Sequence, residues 1–326
     1  MSTSMGLKDI ASRKGIAVGC CINDAHLNEG KYRSALVRNF NLATPEYELM
    51  HSQLCPTRGK YDFENADKVV AFALKHKMRI RGHPLVWQSR LNIPSWLARQ
   101  KLSRSEAAKL LKDHIMTVMK RYKNEIHDWV VVNEAMNDDF KSGKFKLRKG
   151  FWFNRIGPRY VEMAFRLAHI VDPKATLWYN DYSMDEINGK SDAVYRLIKG
   201  LLKKGAPIHA IGLQMHLASH WNLDPKSVEA NIRRFQKLGL KVGITEMDVR
   251  IRKPVTKKKL KKQAKMYSGM LRVALNTRCE DFSLWGVTDA VSWIPESHKG
   301  YDAGLILDKK YRPKLAYENL VEALNE

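Results

Sequence analysis

Cysteine is scarce in this 326-residue chain: Cys20, Cys21, Cys55 and Cys279 are the four present, two of them adjacent and none in a CxxC spacing. That excludes a disulfide framework and a cysteine-built zinc site, and spacing alone leaves open a single bridge from Cys55 to another cysteine. Long apolar runs are missing too. The opening MSTSMGLKDIASRKGIAVGC has no stretch fit for a secretory apolar core, and no later segment is long and apolar enough to span a bilayer, so no membrane partner is expected. No linker rich in proline, glycine or serine divides the chain, and no low-complexity tail ends it. One domain over 1–326 is therefore expected, with 1–14 as an N-terminal extension.

Acidic residues are in short supply, 34 against 57 Lys and Arg, for a formal charge of +23. Such a balance raises nucleic acid, anionic membrane or an acidic polysaccharide as partners. Its densest source is RIRKPVTKKKLKKQAK, residues 250–265, with nine basic residues and no acid. A charge run of this kind ordinarily marks a solvated helix face. No helix-turn-helix, zinc-finger or RNP signature accompanies it, and nucleic acid is not expected as a partner.

What is abundant is short apolar, β-branched runs: IAVG near 16, FNLAT near 40, MRIRGH near 78, WVVVNE near 129, ATLWYND near 175, HAIGLQMH near 209, KVGITEMD near 241 and FSLWGVTD near 282. Between most of them lie amphipathic stretches with apolar residues at i, i+3, i+4 and i+7, such as ENADKVVAFALKHK, SRSEAAKLLKDHIMTVMKRY and DPKSVEANIRRFQKLG. Ser103 followed by Glu106 reads as a capping box at one helix start. Eight near-continuous apolar strands alternating with helices predict parallel pairing and an α/β fold, the closed (β/α)8 TIM barrel.

In such a barrel, residues at the C-terminal strand ends converge on one face. Taken together they are His83 and Trp87 after strand 3, Asn133 and Glu134 at strand 4, and Asn180, Asp181 and Tyr182 at strand 5. Gln214 and His216 follow at strand 6, Glu246 and Asp248 at strand 7, and Trp285 and Trp293 at and after strand 8. A single polar strand end merely reaches the surface, and Trp285 alone reads as core packing; six consecutive strands with such ends do not. Two carboxylates on opposing strands, Glu134 and Glu246, are the minimum set for cleaving an acetal. Indole faces suit the C–H faces of sugar rings, with amides and imidazoles at the hydroxyl edge.

The motifs RGHPLVW, VVVNEAMND, WYNDYS, GLQMH, ITEMDVRI and LWGVTDAVSW, in this order, resemble the successive signatures of glycoside hydrolase family 10, the endo-β-1,4-xylanases, from about residue 15 to the C-terminal YRPKLAYENLVEAL. The resemblance implies a retaining endo-acting hydrolase of xylan with no cofactor and no metal, retention needing two carboxyls roughly 5 Å apart. It implies Glu134 as general acid/base, Glu246 as nucleophile, His216 backed by Asp248 on the nucleophile, and Asn133 on the 2-hydroxyl of the sugar being cleaved. His83, Trp87, Gln214, Trp285 and Trp293 would line that glycone subsite, with Asn180 and Tyr182 toward the leaving group. The chain departs from the family where TPENxMKW is usual and it reads TPEYELMHS: after Glu46, the residues Tyr47, His51 and Ser52 are expected where an Asn and a Lys hold the second glycone sugar. Gln88 and Arg90 stand where a His and a Gln are usual.

Reaction type is thus more firmly implied than substrate, and a relative with shifted β-glycan or glycoside specificity is the alternative. A non-catalytic carbohydrate-binding barrel would be expected to lack one of the two glutamates, and both are present. Expected partners are xylan or xylo-oligosaccharides, acidic glucuronoxylan among them, bound by a monomer. Secretion is expected from the substrate class, with cytoplasmic trimming of imported oligosaccharides as the other reading.

Overall fold

A computed structural model describes residues 5–326. The eight apolar runs are eight strands: β1 (Ala17–Ile22), β2 (Leu42–Pro45), β3 (Arg79–Gly82), β4 (Asp128–Asn133), β5 (Thr176–Asp181), β6 (Ala210–Leu213), β7 (Lys241–Arg252) and β8 (Asp281–Leu284). Each pairs in parallel with the next, and β8 returns to β1 through the register Ala17–Asp281 to Cys20–Leu284, which closes the barrel. Their burial is near-continuous because helices cover the outside and side chains fill the inside.

The helices of the outer layer include α1 (Leu7–Arg13), α2 (Gly30–Asn39), α3 (Glu64–Lys75), α4 (Arg104–Arg121), α5 (Tyr160–Val171), α6 (Gly189–Lys203), α7 (Pro225–Gln236), α8 (Lys257–Asn276) and α9 (Leu315–Asn325). The capping box expected at Ser103 is present: its hydroxyl accepts from Glu106 N–H, and Glu106 accepts from Ser103 N–H at 2.8 Å. The stretch set apart as an extension holds α1, whose Leu7, Ile10 and Ala11 are buried and which packs on α2, α9 and β1. All four cysteines are free and buried. Among the described residues no helix is long and apolar enough to cross a membrane.

The barrel interior is not simply apolar. Arg81 on β3, 1% exposed, makes a bidentate pair with Asp281 on β8 at 2.7 and 3.0 Å, and its guanidinium lies 4.1 Å from the Trp178 ring centroid. Ser283 donates to Asp281 at 2.6 Å, and Trp178 donates to Asp128 at 3.1 Å. Gly243 leaves the room this needs, since a Cβ there would sit 2.4 Å from Asp281 Oδ1. A charge taken out of water is tolerated only when paired and hydrogen-bonded. Arg81→Met should therefore lower stability by about 3–5 kcal/mol by stranding Asp281. Urea denaturation measures it, and a loss below about 1 kcal/mol would show that the pair is not what fills the barrel.

Candidate active site

Three short strands outside the eight bring side chains to the C-terminal mouth. Val86–Trp87 pairs with Val132–Asn133 and so sets Trp87 beside the end of β4. His216–Ala218 pairs with Asp248–Arg250, putting His216 opposite Asp248. Tyr301–Asp302 pairs antiparallel with Ile251–Arg252. The result is a cleft of about 460 Å³. Its lining includes Glu46, Tyr47, His83, Trp87, Asn133, Glu134, Tyr182, Gln214, His216, Glu246, Trp285 and Trp293.

Glu134 leaves β4 with φ of 52°, in the left-handed region that a residue with a side chain rarely adopts. Its N–H donates to Asn180 O at 2.8 Å and its carbonyl accepts from Arg148 Nε at 3.3 Å, contacts that hold the turn. The carboxyl accepts from Trp87 Nε1 at 2.9 Å and Gln214 Nε2 at 3.2 Å. Burial, then the nearby Asp181 charge, raise its pKa, against the lowering effect of the Trp87 bond.

Glu246, 4% exposed, has the opposite fate. Burial alone would raise it, but bonding to His216 and His83 prevails and holds its pKa at about 2. Asn180 Nδ2 donates to Glu246 Oε1 at 2.6 Å, His216 Nε2 lies 3.1 Å from Oε2, and His83 Nε2 lies 3.4 Å from Oε1. His216 Nδ1 in turn lies 2.8 Å from Asp248 Oδ2, which also accepts from Trp293 Nε1 at 2.9 Å. Burial disfavours the imidazolium, yet the Asp248 charge and both carboxylate bonds push the His216 pKa up to about 10. At neutral pH His216 is therefore a cation donating from both nitrogens.

A chain of amides joins the two glutamates. Asn180 Nδ2 donates also to Asn133 Oδ1 at 2.9 Å, and Gln214 Nε2 to that same oxygen at 3.1 Å. Thr245 donates to Asn180 Oδ1 at 2.7 Å. Gly212 makes this packing possible, because a Cβ there would come 2.1 Å from Asn180 Oδ1. Asn180 and Asp248 thus stand behind the glutamates, outside the cleft lining.

Three further expected binding residues also lie outside the lining. His51, 3% exposed, stacks on His114 at 3.7 Å between ring centroids, with Trp152 parallel to it at 6.4 Å. The residue that reaches the cleft one turn after Tyr47 is Met50, and counting along TPENxMKW puts the lysine position on Met50 and the tryptophan position on His51. Gln88 is spent on the wall, donating to Arg148 O at 3.0 Å and Tyr160 OH at 2.9 Å while accepting from Phe153 N–H. Arg90 is exposed and off the cleft.

Of the first residues of the basic run, Arg250, Arg252 and Lys253, which sequence places after strand 7 at the rim, only Arg250 is in the lining; sequence reading missed Met50 and Trp221 there, and the ion network behind Tyr182. There the fully buried Lys190 pairs with Asp181 at 3.0 Å and Asp138 at 3.1 Å and sits 3.6 Å from the Tyr182 ring centroid. Tyr182 OH donates to Asp138 and accepts from Arg148 at 3.0 Å. A lysine inside an amphipathic helix pattern gives no sign that it is buried; WNL after strand 6 did offer an unabsorbed tryptophan.

A closed parallel barrel whose mouth holds one glutamate of raised pKa and one of lowered pKa among indole rings has the outline of a glycoside hydrolase. The chain matches the sequence model of glycosyl hydrolase family 10 over residues 6–323 and belongs to that family. It is 41% identical over 300 residues to endo-1,4-beta-xylanase B of Thermotoga neapolitana, covering 91% of this chain and 84% of that protein. In structure it is similar to xylanase 10B from Thermotoga petrophila RKU-1 in complex with xylobiose, with a TM-score of 0.94, 38% identity and coverage of 100% of this chain and 98% of that one. It is also similar to TsXylA, an intracellular xylanase from Thermoanaerobacterium saccharolyticum, in complex with xylotetraose, with a TM-score of 0.89, 31% identity and coverage of 98% and 99%.

The charge on Asp181 gives a test of how Glu134 keeps its proton. Asp181→Asn removes a negative neighbour without changing size and leaves the Lys190 cation in place, so the Glu134 pKa falls. The alkaline limb of the kcat/KM profile should then move to lower pH, whereas a merely structural loss would reduce the height of the profile and leave the limb where it was.

Proposed function

We propose that the chain is a retaining endo-β-1,4-xylanase in which Glu134 is the general acid/base and Glu246 the nucleophile. What supports this is two glutamates at the ends of strands on opposite sides of one mouth whose surroundings shift them in opposite directions, the Glu134 pKa upward by burial and Asp181 and the Glu246 pKa down to about 2 by His216 and His83. In the first step Glu134 gives its proton to the leaving glycosidic oxygen as Glu246 attacks the anomeric carbon, forming a covalent glycosyl-enzyme. In the second, the now ionised Glu134 takes a proton from water, and that water displaces Glu246 with a second inversion. The His216 cation orients Glu246 and keeps it ionised, and Asp248 fixes the imidazole as Trp293 does Asp248.

Substrate contacts follow from atoms still free to bond. His83 Nδ1, on the ring whose Nε2 faces Glu246, and Gln214 Oε1 are buried without a hydrogen-bond partner, and we assign them to hydroxyls of the sugar being cleaved, with Asn133 at its 2-hydroxyl. Trp87, Trp285 and Trp293 supply the apolar faces, and Tyr182 faces the leaving group. At the second glycone sugar, Tyr47 and Met50 beside Glu46 offer contact area in place of the amide and ammonium usual in the family. The similarity to chains bound to xylobiose and xylotetraose supports xylo-oligosaccharide as the ligand. The cleft is built by a single chain, consistent with a monomer, and an enzyme of polymeric xylan works outside the cell. A basic chain, of net charge +23, admits acidic glucuronoxylan among its xylan substrates.

Glu134→Gln should lower kcat/KM on xylo-oligosaccharides by about 10²–10⁴-fold while sparing kcat/KM on aryl xylosides with activated leaving groups, whose first step needs no proton, though their kcat falls as the second step loses its base. Glu246→Ala should disable both. Proton NMR of the first product should show the β-anomer; an initial α-anomer would contradict a nucleophilic Glu246.

A further inference from the structure

Of the nine cations in the 250–265 run, Arg250 alone lines the cleft. It does so because β7 runs on past the mouth for twelve residues, and in a strand every second side chain shares a face. Glu246, Asp248 and Arg250 therefore project the same way. The Arg250 guanidinium is held between two rings, 5.0 Å from the Trp221 centroid and 5.5 Å from that of Tyr301. Its hydrogen bonds are poor, Nη1 lying 3.5 Å from both His216 O and Leu217 O. Among the described residues it makes no ion pair, whereas Lys253 three positions on reaches Asp302 at 3.7 Å. Asp248, the acid two residues before it, bonds His216 and Trp293 through Oδ2 and makes no ion pair with Arg250. On its other side stands the His298 imidazole, and His216 beyond Asp248 is itself cationic. Burial pushes the Arg250 pKa below the usual arginine value, with Asp248 opposing.

A half-buried guanidinium flattened between aromatic rings, with donors unspent and no ion pair among the described residues, calls for an anion in its plane. The geometry points to the carboxylate of a uronic-acid branch on the xylan chain: two of the guanidinium N–H groups take the carboxylate in a forked pair, and the 39%-exposed face of Trp221 carries the sugar ring. This rests on the xylanase reading and adds to it a site of its own for acidic branches, set by one residue of the cleft and not by the net charge.

The test uses three xylo-oligosaccharides of one length: undecorated, bearing one glucuronic acid, and bearing its methyl ester. The wild-type enzyme should cleave the acid with kcat/KM about tenfold above the ester, the worth of one charge-assisted contact, mainly through KM. In Arg250→Gln that ratio should fall to near unity. Lys257→Gln with Lys258→Gln removes two exposed charges off the cleft and should leave the ratio as it was. Equal rates on acid and ester in the wild type overturn the proposal, and so does an equal drop in the lysine double variant, which would make the preference one of bulk charge. The ester comparison needs no variant, so it stands even if Arg250→Gln folds poorly. Failure to cleave the undecorated oligosaccharide would instead overturn the xylanase reading.

Discussion

Two carboxyl groups buried at one barrel mouth repel each other when both are ionised and are chemically redundant when both are protonated. The bonds around Glu246 resolve this. A cationic His216, itself held by Asp248, keeps Glu246 ionised, while Glu134 is left to burial and to the Asp181 charge, both of which favour its protonated form. The amide chain Asn180–Asn133–Gln214 then spans from one to the other through donated N–H groups, with Gln214 Oε1 left over. Everything that shapes the mouth serves this difference: Gly212 admits Asn180, the short His216 strand registers on Asp248, and the left-handed Glu134 turns its carboxyl toward Trp87.

The barrel supplies the rigidity that such a difference requires. Parallel closure gathers strand ends from distant parts of the sequence onto one rim, and the buried Arg81–Asp281 pair ties residues 200 apart below it. Around the rim the same logic of buried ions recurs, with Lys190 answering Asp181 and Asp138 on the side where Tyr182 stands. Arg250, half-buried in the cleft wall between Trp221 and Tyr301, makes no ion pair among the described residues, and it is there that a ligand carboxylate is proposed.

Much of this was legible in the sequence because it is periodic or local. Eight β-branched runs gave eight strands, and their polar ends gave both glutamates, His216, Asp248 and the tryptophans. What was not legible depends on where a side chain points after a strand ends. In the TPEYELMHS segment the turn at Tyr47 aims Met50 at the cleft and His51 into the wall against His114, a one-residue difference that no period fixes. Gln88 follows Trp87 directly, yet faces Tyr160 and Phe153. Arg81 and Lys190 are charged residues whose burial is decided by partners far along the chain, and pairs of that kind leave no mark in a single sequence.

The opposite pKa shifts of the two glutamates carry the division into acid and nucleophile, and they are observable without substrate. With glutamate labelled by carbon-13 at the side-chain carboxyl, the two resonances are assigned by their loss in Glu134→Gln and Glu246→Gln, and each is followed through a pH titration. Glu246 should remain ionised down to about pH 2, while Glu134 should still be protonated above the ordinary glutamate value. Two glutamates titrating together in the ordinary range, or Glu246 holding its proton to the higher pH, would contradict the assignment of acid and nucleophile.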